Sequence, residues 1–247
     1  GSDLGNAQTR AVRDGDEYVI NGQKIWTTMG NFAKYMILLA RTNPDAPRKY
    51  DGLSYFLSPM HVPGIETRPI RKITGEYGFT ETFFTNARIP ADCLMGEEGQ
   101  GWKIAMQTLQ YERGAEAGAA GGQAMVRVTV EDMISQLHGV RRDGESVLRD
   151  PVVRDQLVQA IMEEKALALG DRRAHIAHLT SDYPGSLPLS HKLRASEMTR
   201  RMRQLAINLQ GAEGALYVGD HEARQGGFWQ RAYFNSFSAT IGGGTSQ

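Results

Sequence analysis

The chain has 247 residues, enough for a sizeable core in one large domain or two smaller ones, and its 28 Lys+Arg balance its 28 Asp+Glu. With no net field, there is no electrostatic case for nucleic acid or an anionic membrane as partner. A single Cys93 without CxxC or Cys/His clusters argues against disulfides and zinc, and no apolar run approaches the roughly 20 residues of a membrane span, so we expect a soluble, cytoplasmic, metal-free protein.

Up to about residue 100 the pattern has the period of strands. In "EYVINGQKIW" the pair Asn21-Gly22 lies between two strand-like runs and predicts a tight hairpin. "YMILLA" at 35–40 suits a strand covered on both faces, and "GLSYFLSP" and "TETFFTNARIP" follow, each closed by a proline. From Gly101 the period becomes helical: one helix from about 102 to 137, a second after Asp150-Pro151, a third over about 189–210 and a last from about 219 to 239. The expected fold class is α+β, an antiparallel β-sandwich or barrel over residues 1–100 followed by a four-helix bundle over 101–247.

Within the first helix, Trp102, Ala105, Met106 and Leu109 form one apolar stripe, and Glu112, Arg113 and Glu116 fall on or beside it. Charges turned inward need a partner or a task. One reading is an internal ion pair of Arg113 with Glu116; the other is a carboxylate base in an apolar cavity, in a segment rich in Gly114, Gly118, Gly121 and Gly122.

Four segments in order carry a resemblance: "GSDLGNAQTRAVRDGDEYVINGQKIWTTMG", "RIPADCLMGEEGQGW", "LQYERG" and "TIGGGTSQ". Together the chain resembles the acyl-CoA dehydrogenase family, most clearly over its first 113 residues. The resemblance implies a middle β domain and a C-terminal helical domain that hold FAD, with an acyl-CoA thioester lying against the flavin. It also implies electron-transfer flavoprotein or a similar acceptor as partner, and a homodimer or homotetramer. The N-terminal helical domain usual in the family has no counterpart in this sequence, which is expected to be a fragment.

Carried over residue by residue, the resemblance resolves the inward charges. Many members place the catalytic glutamate just before Gly-Thr-Ser in the tail, where this chain has Gly243. Isovaleryl- and long-chain-type members instead place it in the first long helix before an arginine, and Glu112 with Arg113 matches that arrangement. Glu112 is thus the expected base for the C2 proton, opposite a flavin that takes hydride from C3. Trp26 and Thr28 match the strand that contacts the flavin, and Ser2 matches a serine near both flavin and substrate. Gly243 and Gly244 are expected close to the substrate, Thr245, Ser246 and Gln247 close to the cofactor, and Gly211 and Gly214 in a loop that meets the dinucleotide.

The family's Arg-x-x-Phe-Gly stretch is replaced by "GVRRDGESVLRDP", where Arg141 or Arg142 stands in for the arginine but the Phe is gone. This departure keeps two alternatives open: a catalytically silent subunit paired with an active relative, and a related flavin oxidase or monooxygenase. His175 and His178 are read as solvated rather than metal-binding, "RRMR" at 200–203 as a charged helix face or subunit contact, "FWQRAYF" at 228–234 as helix packing, and the ten methionines as core filler.

Overall fold

A computed structural model of the protein describes residues 3–113, 128–174, 176 and 186–246, with side chains for all of these except 110–113, 174 and 186–189. The chain forms two compact units, Gly1–Gln110 and Tyr111–Gln247. The fold class is mixed α+β, as expected.

In the first unit six strands, β1 (Arg10–Asp14), β2 (Glu17–Thr28), β3 (Tyr35–Arg41), β4 (Leu53–Pro59), β5 (Ile65–Arg71) and β6 (Tyr77–Pro90), form one sheet in the order β4-β3-β1-β2-β6-β5. The sheet is not wholly antiparallel, because β1 meets β3 in parallel at Arg10↔Arg41. Tyr18 on β2 and Phe56 on β4 have ring centroids 4.9 Å apart although two strands lie between them in the sheet order. A flat sheet would hold these strands about 14 Å apart at roughly 4.8 Å per step. The sheet is therefore strongly curled, and its concave face carries the core of Ile20, Leu38, Phe56, Phe84 and Ile89. Helix α1 (Gly101–Arg113) covers part of another patch, where Ala105 packs with Leu39, Leu53 and Tyr55. Beyond that patch Tyr35 and Ile37 are exposed, so only the second half of "YMILLA" is covered on both faces.

The hairpin expected at Asn21-Gly22 is a correction. The turn lies instead at Gly15-Asp16, between Asp14 and Glu17, and β2 runs on through Asn21 and Gly22. Gly22 has φ 135°, and a Cβ there would lie 2.8 Å from Thr9 Cα. Its freedom serves a bulge, since the β2–β6 register slips between Ile20 and Gly22. Asn21 closes the bulge through paired side-chain and backbone hydrogen bonds with Asn86, at 3.1 and 2.9 Å.

In the second unit α2 (Val130–Leu137), α3 (Pro151–Ala174), α4 (Ser186–Leu209) and α5 (Phe228–Ala239) share a core that includes Val130, Met133, Leu157, Met202 and Trp229. The single helix expected over 102–137 is a second correction. Thr129 is extended and caps α2 in a reciprocal box with Asp132, so a new helix starts there. Asp150 caps α3 by accepting from Val152 N at 2.8 Å, with Pro151 as the first helical residue. Trp229 and Gln230 are buried, in keeping with the helix-packing reading of "FWQRAYF".

Candidate functional site

At the end of β2 the register slips again between Lys24 and Thr27. Trp26 takes a left-handed φ of 66°, an outlier for a bulky residue. The residue is 59% exposed, and its ring stands edge-on to Phe79 at 5.9 Å. The Thr27 hydroxyl accepts from the buried Thr82 hydroxyl at 3.1 Å; Thr28 pairs with Phe79 in the sheet but is exposed. Met29, with φ 51°, and Phe32 are exposed as well. Apolar side chains on irregular backbone add little to the fold while they face water; a flat apolar ligand would cover them. Burial pushes the neighbouring Lys24 ammonium down to about 8.

The residues following Ser2 form a strap that sequence reading did not anticipate. Arg41, at the end of β3, donates to Ala7 O (3.2 Å), Gly5 O (3.0 Å) and Lys49 O (3.1 Å). Lys49 in turn pairs with Asp3 at 2.7 Å. Gly5 lies so close to Tyr50 that a Cβ would sit 2.5 Å from the ring. Ser2 itself lies outside the described residues, but the chain from Asp3 to Ala7 is fixed by a guanidinium whose planar fork suits three carbonyls at once.

Gly101 begins α1 where a Cβ would meet Ser54 at 2.6 Å. Trp102 and Met106 are partly buried against the Leu39 and Tyr55 patch, and the Tyr55 hydroxyl and Thr108 Oγ1 are 3.0 Å apart. Of the expected stripe, Trp102, Ala105 and Met106 pack together against this patch, and Leu109 is half-buried. The backbone of Glu112 and Arg113 completes α1; their side chains, and the whole of Glu116, lie outside the described residues.

In the second unit, the tail after α5 runs through Gly242, Gly243 and Gly244, the last two at φ 69° and 112°. Lys192 of α4 donates to Gly244 O, and a Cβ on Gly243 would lie 3.8 Å from Lys192 Cε. A lysine thus stands beside Gly243, an arrangement without a signal in the sequence. Ser246 N donates to Thr240 O at 3.2 Å. Its Oγ is shielded from water without a partner, a condition that costs about 1–3 kcal/mol. Thr245 and Ser246 line a cleft of about 580 Å3 together with Arg200, Arg201, Phe237 and Ile241, within the roughly 300–1,000 Å3 of small-molecule sites. Gln247 lies outside the described residues.

Gly211 and Gly214 sit in the 3-10 turn after α4. Gly211 has φ 62°, and Gly214 is so close to α4 that a Cβ would meet Ile207 O at 2.6 Å. Both glycines therefore have a structural reason. Gln230 of α5 donates to Glu213 O and Gly214 O, each at 3.3 Å, and so pins this turn from below. Arg141 and Arg142 form a short hairpin, β7 (Arg141–Arg142) with β8 (Glu145–Ser146). Arg141 donates to Gly144 O within that hairpin at 3.2 Å, and both arginines are exposed.

The "RRMR" reading needs correction at its last residues: Met202 and Arg203 are buried, and Arg203 donates to Ala232 O of α5 at 2.9 Å. Burial lowers its pKa. His175 and His178 lie outside the described residues. No group of three metal-ligating side chains is found among the described residues, and no described helix is long and apolar enough to cross a membrane.

The sequence matches the family model for the acyl-CoA dehydrogenase middle domain over residues 1–87 and that for the acyl-CoA dehydrogenase C-terminal domain over residues 99–247. Acyl-CoA dehydrogenase IpdE1 of Mycobacterium tuberculosis is 36% identical across 100% of this chain, which covers 60% of that protein. The solved structure of the Tcur3481-Tcur3483 steroid ACAD is 31% identical, with a TM-score of 0.85 over 100% of this chain and 62% of that one. The ChsE4-ChsE5 complex from Mycobacterium tuberculosis is 28% identical, with a TM-score of 0.80 over 100% of this chain and 62% of that one. The chain thus spans about three-fifths of the length of these relatives.

Proposed function

The chain belongs to the acyl-CoA dehydrogenase family, and from that premise we propose that it is the flavin-binding and base-bearing part of an FAD-dependent enzyme converting an acyl-CoA thioester to its 2-enoyl-CoA. The observation that carries the reading is the tail: Gly242, Gly243 and Gly244 offer no carboxylate, and the nearest side chain to position 243 is a lysine. The resemblance then leaves Glu112 at the end of α1 for the C2 proton, with Arg113 beside it in sequence to order the base and the thioester. When bound, FAD supplies the acceptor for the C3 hydride. Trp26 and Thr28 would hold the ring, Thr245, Ser246 and Gln247 would approach it from the tail, and Gly211 and Gly214 would meet the dinucleotide. Each unit, taken alone, supports this fit: the first has an exposed indole on irregular backbone, the second a cleft with an unpaired hydroxyl.

The relative titled steroid ACAD supports a ring-bearing acyl group as substrate, and three side-chain-free tail positions leave room for one. The test is anaerobic reduction of the full-length protein's flavin by a panel of acyl-CoAs. Glu112→Gln is expected to slow bleaching by about 10²–10⁴-fold, the usual contribution of a general base; an unchanged rate removes the assignment. Electron-transfer flavoprotein, or a carrier like it, is the proposed acceptor for the reduced cofactor.

One observation favours a second reading on assembly. Where the family's Arg-x-x-Phe-Gly stretch is expected, Arg141 is engaged by its own hairpin and the Phe is absent. A non-identical partner chain completing the cofactor site accounts for this, and the paired names Tcur3481-Tcur3483 and ChsE4-ChsE5 are consistent with it. A homodimer or homotetramer with one FAD per chain overturns that reading and supports the homo-oligomer.

A further inference from the structure

The charges around the tail cleft do not cancel. Arg201 pairs with Glu163 and, at 3.8 Å, with Glu197. With Arg200 included, two cations face two carboxylates already engaged by one of them, and among the described residues Arg200 has no carboxylate partner. Instead its guanidinium carbon lies 5.2 Å from the centroid of the Phe237 ring, a cation–π contact that uses none of its N–H donors. Arg200 is exposed and lines the same cleft as Thr245 and Ser246, and the Ser246 hydroxyl is buried and unpaired. Arg201 is less suited, because its charge is already balanced by Glu163 and Glu197.

We infer that Arg200, with the Ser246 hydroxyl, is the diphosphate-recognition point of the second unit, taking the anionic group of a nucleotide in the cleft beside the tail. A fork of N–H donors beside an aromatic ring matches phosphate oxygens, and an orphaned hydroxyl lining the same cleft gains a partner when the anion arrives. The inference rests on the dehydrogenase reading, since both nucleotides of that reaction, FAD and coenzyme A, carry a diphosphate. It gives the cleft a cation that the altered Arg-x-x-Phe-Gly stretch does not supply. The "RRMR" run then divides by role: Arg200 faces the ligand, Arg201 neutralises α3 through Glu163, and Arg203 is buried against α5.

The test titrates full-length wild-type, Arg200→Gln and Arg200→Lys apoproteins with FAD, by flavin fluorescence, and with coenzyme A, by calorimetry, using ADP as competitor. Arg200→Gln is expected to weaken one of the two nucleotides by about 10–100-fold, the loss of a charge-assisted hydrogen bond, at an unchanged urea midpoint. Arg200→Lys is expected to recover part of that affinity, and wild-type binding is expected to fall more steeply with salt than that of the glutamine variant. Whichever nucleotide responds identifies the source of the diphosphate. Binding of both within twofold of wild type overturns the inference, and if acyl-CoA still bleaches the flavin, the dehydrogenase reading survives it. A wild-type protein that takes up neither nucleotide removes both.

Discussion

The strap of the first unit and the tail of the second, each taken within its own unit, are held in opposite ways. From Asp3 to Ala7 the backbone is clamped by two donors of one guanidinium, whose third holds Lys49 O, and by an ion pair and an aromatic ring in contact with Gly5. From Gly242 to Ser246 the contacts include Gly242 N to Ser238 O at 2.8 Å, Lys192 to Gly244 O and Ser246 N to Thr240 O at 3.2 Å, and Gly243 has open space on its Cβ side out to 3.8 Å. Where close packing leaves no volume, a glycine is retained for space. Where the backbone turns through positive φ in the open, a glycine is retained for conformation. The difference teaches that equal glycine richness in a sequence hides two different demands.

Gly52 gives the sharpest test of the packed side. It closes the β3–β4 connection by accepting from Thr42 N and Asn43 N at 3.0 and 3.2 Å, and a Cβ there would fall 2.0 Å from Asn43 O. Backbone cannot give way as a flexible side chain does. Gly52→Ala is expected to destabilise the protein by about 3 kcal/mol or more, read as a drop in urea midpoint at unchanged slope. A neutral outcome would mean that the connection is as loose as the tail.

Arg41→Lys tests the clamp itself. Lysine keeps the charge but replaces a planar fork with a single point of donation, so two of the three carbonyl bonds are lost. The expected destabilisation is about 2 kcal/mol, at roughly 1 kcal/mol per hydrogen bond, with increased proteolytic nicking near the N-terminal strap. If lysine restores wild-type stability, the carbonyl contacts are incidental and the strap is held by Tyr50 and Lys49 instead.

How far these features could be read in advance depended on range. The mixed fold, the change of period near Gly101 and the Asp150-Pro151 helix start are local, and all appeared in the sequence. Asn21-Gly22 misled because positive φ serves a bulge as readily as a turn, and long-range pairing of β2 with β6 decided between them; the Gly15-Asp16 pair nearby was the true turn. The helix break before Val130 was available in "TVED", whose Thr and Asp stand at capping-box spacing. Arg41 was invisible because its partners are carbonyls brought together by folding, and Arg203 because an arginine within a charged run reads as solvated until α5 packs over it. For Glu112 a stripe and a resemblance were legible in the sequence, and the structure supports that stripe up to Met106, with Leu109 half-buried.

The smallest expected effect comes from the open side, with Gly243→Ala. The nearest atom to the new methyl group is Lys192 Cε at 3.8 Å, an ordinary contact, so packing contributes nothing to the change. What remains is a left-handed backbone at φ 69°, which a Cβ disfavours by roughly 1–2 kcal/mol. The segment is exposed and held at few points, so part of that strain relaxes by rotation, and the loss in unfolding free energy is expected near 1 kcal/mol. The same rotation would carry Gly244 O away from Lys192 and turn Thr245 and Ser246 relative to the cleft. Flavin affinity should therefore fall by more than stability does, whereas Gly52→Ala should lower stability with little change in affinity of the folded fraction. Measured together, urea midpoints and flavin titrations of the two variants separate a glycine needed for volume from one needed for shape; matched losses in both readouts would show that the tail is as tightly determined as the strap.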